Sequence, residues 1–331
     1  MSKAIERELL AQGAESPVTF LVGAERSGTT LLRLMLDGHP ELAFRYEFEL
    51  AVDLVSDDGS WPELDAYYEF LRTFRWVDLP PYVDRSLAYP ALVRSFLEQK
   101  RRADGKPRVG AVVHRHYGRL LHLWPDARFV HIVRDPRDVA RSCLGMGWAG
   151  NVWTGVELWV EAERLWEHVR AGLPAHRYLE IRYEDLVLDT RGVLRRICAF
   201  MGLDCGDAAL DAMLEYPSRS IYTAPDRSLV EQWRRKLSTR QIQLVEERTH
   251  AMLVPRGYAP SGLPPIRLTS LERALLRAHC RACRAQWAAR TYGTKLWLER
   301  VVTNRVGPKR WRESVIQREN AILNEHIARV V

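Results

Sequence analysis

Three stretches of the chain share one pattern: a strand-like run rich in apolar residues, a polar turn, and then apolar residues at helical spacing. They begin at Val18, Arg128 and Tyr178. Such runs are typical of strands buried on both faces of a parallel sheet, and a helix after each strand returns the chain to the same edge. The pattern predicts an α/β fold of three layers, in which helices flank a central parallel sheet. Ligands bind such sheets at the carboxyl ends of the strands.

The first polar turn, Gly23–Thr30, is suited to hold a phosphate. Free N–H groups at a helix start and the helix dipole attract anions, and Gly23 and Gly28 allow the backbone to approach closely. The glycine spacing is that of a P-loop, but Thr29 stands where the lysine that contacts the β- and γ-phosphates is expected. Arg26 is the only cation in the turn. This P-loop-like turn therefore favours a single 5′-phosphate over a metal-bridged triphosphate.

The second turn offers another phosphate site. Arg134 ends the predicted strand, and Ser142 lies about two turns into the following helix. An arginine at a strand end and a hydroxyl on the next helix can converge on one phosphate through charge-assisted hydrogen bonds. The other charged residues here are interpreted structurally: helix caps for Asp135 and Asp138, and local ion pairs or a solvated face for Arg137 and Arg141.

Together the two turns resemble those of sulfotransferases that use 3′-phosphoadenosine 5′-phosphosulfate (PAPS). The sequence RSGTTLLRLMLDGHP, from Arg26 to Pro40, is especially similar to the tyrosylprotein and bacterial branches. The resemblance implies that Arg134 and Ser142 bind the 3′-phosphate. It assigns the 5′-phosphosulfate to five loop residues: Arg26, Ser27, Gly28, Thr29 and Thr30.

Two later stretches also match the family. Tyr183 begins a Tyr-Glu-Asp-Leu sequence, which implies a contact with the adenosine; the alternative is a tyrosine packed at the end of the sheet. Trp233 and Arg234 match a late Trp-Arg pair that closes over the 3′-phosphate. Their alternative is the basic start of an amphipathic helix. Ser218 and Ser220, just upstream, receive no role.

The strand-like segment after the first helix supplies a candidate general base. Sulfuryl transfer is expected to be an in-line displacement in which a base accepts the proton of the acceptor hydroxyl. The separation of Arg26 from Glu47 resembles that between the arginine and the catalytic glutamate of tyrosylprotein sulfotransferases. Glu47 is therefore the predicted base, and Arg26 is predicted to stabilise the leaving phosphate. Glu49 is the second candidate, since strand alternation would place it on the same face; either could be a surface carboxylate.

The chain departs from the family ahead of the second turn. Many members have a lysine there, in a Lys-Thr-Pro or Lys-Asp-Pro stretch, which assists the leaving group. This chain has His114, Arg115 and His116 instead. Any of the three could replace the lysine as a hydrogen-bond donor, His114 could compete as base, and each could be a solvated or capping residue. This departure leaves open the roles of the individual residues, but it does not change the predicted class of enzyme.

The resemblance covers one part of the chain. We expect a sulfotransferase domain over residues 1–262, with a helical insertion at about 61–102, and a basic helical extension over 263–331. The extension could pack on the main domain, mediate oligomerisation, or contact an acidic membrane surface peripherally. Trp159 and Trp166, one heptad apart, are assigned to the core. The insertion is rich in aromatic residues, assigned mostly to the core and partly to the acceptor pocket: Tyr67, Tyr68, Phe70, Phe74, Trp76, Tyr82 and Tyr89.

Composition agrees with a globular enzyme. The chain has 331 residues, is 47% hydrophobic and carries a formal charge of +7. The basic balance suits a bis-phosphorylated cofactor, and no nucleic-acid motif is present. A charged amino terminus and the lack of a membrane-length apolar run favour the cytoplasm. Five cysteines argue against a disulfide framework, and the Cys280/Cys283 pair has no second pair with which to bind zinc.

The sequence thus predicts a PAPS-dependent sulfotransferase that needs no metal and leaves 3′,5′-adenosine diphosphate (PAP) as product. Its acceptor would bear a hydroxyl group on a carbohydrate, glycolipid, small molecule or protein tyrosine. Two other classes stay open: a P-loop kinase that uses ATP, and a nucleotide-binding scaffold without catalysis.

Overall fold

The computed structural model of the protein describes residues 17–74, 82–215 and 225–330. Trp76, Ser218 and Ser220 lie outside these ranges. The core of the molecule is a sheet of five parallel strands in the order β2-β3-β1-β4-β5. The strands are β1 (Thr19–Val22), β2 (Leu42–Glu47), β3 (Arg108–Val113), β4 (Arg128–Val133) and β5 (Tyr178–Arg182).

Helices lie on both sides of this sheet and continue into a helical carboxyl-terminal region. They are α1 (Thr29–Asp37), α2 (Leu64–Thr73), α3 (Tyr89–Ala103), α4 (Leu120–Leu123), α5 (Pro136–Gly145), α6 (Val152–Gly155), α7 (Glu157–Ala171), α8 (Tyr183–Leu188), α9 (Thr190–Met201), α10 (Asp207–Glu215), α11 (Trp233–Lys236), α12 (Thr239–Leu253), α13 (Ser270–Tyr292), α14 (Thr294–Thr303) and α15 (Lys309–Val330). The predicted α/β architecture is confirmed, and the three predicted strands are β1, β4 and β5.

The central strands of the sheet are buried on both faces, as their apolar residues predict. Along β1, Phe20 packs into the core on one face and Leu21 into the core on the other, because successive side chains of a strand alternate. Trp159 and Trp166 are completely buried. Their assignment to the core is therefore confirmed.

The aromatic residues of the insertion fall into two groups, as the sequence suggests: some are buried in the core and others are not. Tyr67 and Tyr89 are buried and meet edge to face, with ring centroids 4.8 Å apart. Phe70 and Phe74 face a large cavity that is described below. Tyr82 is exposed to solvent. Some of these aromatic residues thus stabilise the fold while others are free to meet a ligand.

The carboxyl-terminal extension packs on the rest of the chain at two places. Asn151 donates a hydrogen bond from Nδ2 to the carbonyl oxygen of Leu276, which joins the start of α6 to α13. At the other end Gln317 on α15 donates to the carbonyl oxygen of Arg72 on α2. The extension therefore bridges the α6 region and the insertion.

Candidate active site

The turn after β1 is shaped for an anion. Gly28 has φ 93°, and a Cβ atom there would lie 2.3 Å from Cδ2 of Tyr183, so only glycine fits. Helix α1 begins at this turn without a side-chain cap and without an acidic residue in its first turn. Ser27 is buried, and its Oγ has no hydrogen-bond partner among the described residues. A buried hydroxyl and uncapped N–H groups at one helix start are what a bound phosphate would satisfy.

The two predicted phosphate motifs meet in space. Arg26 donates a hydrogen bond from Nε to Oγ of Ser142, 2.9 Å away. Arg134 donates to the carbonyl oxygen of Arg26 at 3.2 Å and to that of Leu229 at 2.9 Å. The Arg134 guanidinium also lies over the ring of Tyr183, 4.2 Å from its centroid. The structure thus brings Arg26, Arg134, Ser142 and Tyr183 into one cluster.

A cavity of about 410 Å³ opens beside this cluster. Arg26 and Ser142 line it, together with Arg141 and Lys236. Sequence reasoning placed Arg141 on a solvated face or in an ion pair and did not single out Lys236. Arg141 instead donates a hydrogen bond to Oε1 of Gln232 at 2.9 Å, and it borders the cavity.

The predicted lid residues differ in their surroundings. Trp233 is buried, and its backbone N–H donates to Oδ1 of Asp138 at 2.8 Å. Arg234 is half exposed and forms an ion pair with Glu231 at 2.9 Å. Neither residue lines the 410 Å³ cavity, in contrast to Lys236 of the same short helix. Burial raises the pKa of Asp138 to about 7.

Two charged residues of the second turn are structural. Asp135 caps α5, because its side chain accepts a hydrogen bond from the backbone N–H of Arg137 at 2.9 Å. The Arg137 guanidinium binds both carboxylate oxygens of Asp135, at 2.8 and 2.7 Å, and also pairs with Glu246 at 2.8 Å. Arg137 is only 2% exposed. Asp135 is thus the helix cap that the sequence predicts, and Arg137 forms local ion pairs. The alternative prediction, that Arg137 lies on a solvated face, is wrong.

Glu47 lies at the carboxyl end of β2 and borders a second, larger cavity of about 890 Å³. His114 stands behind it: Nε2 of His114 is 3.9 Å from Oε1 of Glu47. Nδ1 of His114 is 2.9 Å from the carbonyl oxygen of Gly23, which can only accept, so Nδ1 carries the proton. His114 is buried and does not border the cavity. Glu47 is thus the member of this pair that borders the cavity.

Glu49 is not on the same face as Glu47. Strand β2 ends at Glu47, and Glu49 begins a 3₁₀ turn, so strand alternation no longer applies to it. Its side chain is completely buried and accepts the backbone N–H of His114 at 2.8 Å. Burial raises the pKa of Glu49. The expectation that both carboxylates share a face is wrong, because the chain turns inward after the strand.

The three residues that replace the family lysine have different environments. Burial lowers the pKa of His114, but the charges of Glu49, Glu47 and Glu25 outweigh it, so the net shift is upward. Arg115 forms a two-pronged ion pair with Asp53, at 2.8 and 2.6 Å. His116 is exposed, although part of its ring is buried, and this partial burial lowers its pKa. Of the three, Arg115 alone borders the large cavity.

Helix α13 forms one wall of the large cavity, which sequence reasoning did not foresee. Arg277, Arg281 and Arg284 recur at helical spacing along this wall, with Trp287 one turn further on. The helix approaches closely at Gly147, where a Cβ atom would lie 2.2 Å from the Trp287 ring. Five carboxylates also line this cavity: Glu25, Glu47, Asp53, Glu157 and Glu161.

Two features are absent from the described residues. Within the ranges given above, there is no group of three or more histidine, cysteine, aspartate or glutamate side chains arranged to hold a metal ion. No helix in the same part of the chain has both the length and the apolar character needed to cross a membrane.

Comparison with known proteins identifies the family. The sequence model of the sulfotransferase family matches residues 17–207, which is more than half of the chain. The chain therefore belongs to the sulfotransferase family, as the motifs predicted. The matched segment contains the first two turns and Glu47, and it ends before the extension.

Individual relatives match parts of the chain. A protein-tyrosine sulfotransferase of Drosophila melanogaster is 25% identical over 209 residues, which cover 59% of this chain and 40% of the relative. Sulfotransferase 2A2 of Mus musculus is 24% identical over 165 residues, 45% of this chain and 55% of the relative. The chain thus spans about half the length of the curated relatives it matches. Among solved structures, the sulfotransferase domain of the Synechococcus PCC 7002 olefin synthase is 26% identical, with 70% of this chain and 94% of that domain covered and a TM-score of 0.47.

Proposed function

We propose that this protein transfers a sulfuryl group from PAPS to a hydroxyl-bearing acceptor. The observation that carries the proposal is the Arg26–Ser142 hydrogen bond, which joins the phosphate turn to the second motif. A nucleoside triphosphate needs one phosphate loop and its metal. A second anion site beside the first is what a nucleotide phosphorylated at both its 3′ and 5′ positions requires.

The residues present fit such a nucleotide. The buried Ser27 Oγ and the Nε of Arg134 both lack partners among the described residues. The loop residues Arg26–Thr30 would hold the 5′-phosphosulfate, and Arg134 and Ser142 the 3′-phosphate. Tyr183, packed between Gly28 and Arg134, supports a role in adenosine contact. When bound, PAPS supplies the sulfuryl group and leaves as PAP.

Glu47 is the proposed base. It would accept the proton of the acceptor hydroxyl while that oxygen forms its bond to sulfur and the bond between sulfur and the 5′-phosphate oxygen breaks. The electron pair of the broken bond remains on the phosphate oxygen, where the Arg26 charge stabilises it. His114 lies behind Glu47 and outside the cavity, which supports a positioning role for this histidine.

The acceptor would occupy the 890 Å³ cavity in front of Glu47. This volume is within the range of small-molecule sites. Phe70 and Phe74 offer apolar surface, while Arg281 and Arg284 on the facing wall offer charge. The lining suits an acceptor with both polar and apolar parts. Carbohydrate, glycolipid, small-molecule and protein-tyrosine acceptors are the classes to screen.

Two measurements on the full chain test the proposal. Calorimetry should show that PAP binds at least about tenfold more tightly than 5′-AMP, which lacks the 3′-phosphate. Sulfur-labelled PAPS should then transfer its label to one member of an acceptor panel from the four classes. PAP binding without any transfer would support a scaffold, and magnesium-dependent ATP turnover without PAP binding would support a kinase.

A further inference from the structure

The connection between the last two helices exposes apolar side chains. We call residues 295–312 the basic tip. It includes the end of α14, the turn that follows it and the start of α15. Four large apolar residues of the tip are more than two-fifths exposed: Leu298 at 53%, Val302 at 42%, Val306 at 80% and Trp311 at 41%. Leu298 and Val302 share a face of α14, since they are one helical turn apart, and Val306 and Trp311 follow in the turn and at the start of α15.

The tip is also strongly basic. The tip contains six lysines and arginines and a single glutamate, Glu299. Glu299 pairs with Arg318, which lies outside the tip. Four of the six cations are exposed and form no ion pair with any residue that the structure describes: Lys295, Arg305, Arg310 and Arg312. Surface cations without partners, interleaved with exposed apolar side chains, are not explained by packing within the chain.

Other side chains in and next to the tip are buried in the usual way. Leu296 and Thr303 on α14 are buried, as is Val315 on α15. The apolar outer residues are therefore not a displaced part of the core. The tip also adjoins the large cavity, because Tyr292, three residues before the tip begins, lines it.

We propose that the basic tip docks the protein on the surface of an anionic membrane. Anionic headgroups would neutralise the four unpaired cations, and the apolar side chains would enter the interface, where tryptophan is also favoured. A second copy of the chain fits less well, since a two-fold contact would bring the unpaired arginines of both copies together. The helices lie on the membrane and do not cross it.

Vesicle sedimentation of the full chain tests this inference. The chain is expected to bind vesicles that contain about 30% phosphatidylglycerol. Its binding to vesicles of phosphatidylcholine alone should be at least about tenfold weaker. Binding should be lost at about 0.5 M salt, because charges are then screened within a few ångströms. Two triple variants should each weaken binding at least about tenfold: L298S/V302S/V306S and R305Q/R310Q/R312Q. Both alter exposed side chains, and the arginine variant keeps the test available if the apolar variant does not fold.

Matched controls use exposed residues outside the extension. L188S/V254S and R191Q/R195Q should bind vesicles like the wild-type chain, because these side chains are similarly exposed but distant in sequence from the tip. Equal binding to neutral and anionic vesicles, or equal loss in a control variant, would overturn the proposal. The proposal would also be overturned if the wild-type chain binds no vesicles and light scattering shows a dimer that the L298S/V302S/V306S substitutions dissociate. PAP affinity, measured in parallel, keeps this result separate from the proposed function.

Discussion

Arg26 and Ser142 are 116 residues apart in the sequence, yet Nε of Arg26 donates a hydrogen bond to Oγ of Ser142 over 2.9 Å. The contact forms because β1 and β4 are neighbours in the parallel sheet, so the turns that follow them meet at the same edge. Arg134 reinforces this edge by donating to the carbonyl oxygen of Arg26. The phosphate turn and the second motif are thus one structural unit.

Replacing the proposed base should stop turnover without affecting nucleotide binding. Glu47→Gln keeps the size of the side chain but cannot accept the proton, so the rate should fall roughly 10²- to 10⁴-fold. PAP affinity by calorimetry should stay within about twofold of wild type, because Glu47 borders the other cavity. Glu161→Gln, a carboxylate of the same cavity, is the control. An equal loss of rate in both variants would assign the effect to the charge of the cavity and not to a base.

Removing the Arg134 charge should weaken recognition of the 3′-phosphate. A hydrogen bond to a charged group contributes about 1.5–3 kcal/mol, so Arg134→Gln should reduce PAP affinity roughly 10- to 100-fold. The affinity for 5′-AMP should change little. Arg195→Gln, an exposed arginine in an ion pair with Asp207, should leave both affinities intact. If the two ligands lose affinity equally, Arg134 acts only by supporting the turn through its bond to Arg26.

Asp138 should make stability depend on pH. Burial raises its pKa from an ordinary value near 3.8 to about 7, so the folded state holds the proton more tightly than the unfolded chain. The stabilisation by Asp138 is complete below about pH 4, declines as the pH rises, and is lost once the pH passes about 7. The total is on the order of 4 kcal/mol.

Asp138→Asn should remove this dependence, because the amide keeps an acceptor for the Trp233 N–H and does not ionise. Urea unfolding from pH 4 to 8 should show a gap between variant and wild type that widens in favour of the variant. Asp126→Asn, an exposed position, should follow the wild type. A gap that is constant with pH would mean that Asp138 is ionised throughout.

The close approach of α13 to the main domain should depend on Gly147. A methyl group there would lie 2.2 Å from the Trp287 ring, so Gly147→Ala should push α13 away and destabilise the protein by about 1–3 kcal/mol. Proteolysis of the extension should accelerate and the KM for the acceptor should rise, while PAP affinity is unchanged. Gly105→Ala is a matched control, since its φ of 64° is close to the 69° of Gly147 but nothing lies within 4 Å of its Cβ position. Similar effects in both variants would indicate backbone strain alone.

Local sequence patterns predict much of the fold. The apolar residues of β1 and β4 are mostly buried because both faces of the central sheet are covered, and such apolar runs are visible in the sequence. The first phosphate turn was equally visible, since its glycines and the following helix are contiguous. The Glu49 prediction failed because alternation holds only within a strand, and where β2 ends depends on its pairing with β3.

The sequence by itself determined the class of fold, the positions of the two turns that follow β1 and β4, and the family, because each rests on short segments whose residue types and spacing suffice. Only the tertiary structure decided which of Glu47 and Glu49 faces the large cavity, that Lys236 borders the smaller cavity beside Arg26, and that α13 forms a wall of the large cavity. These features depend on contacts between segments far apart in the chain. Such contacts follow from how helices and strands pack, which no local pattern encodes.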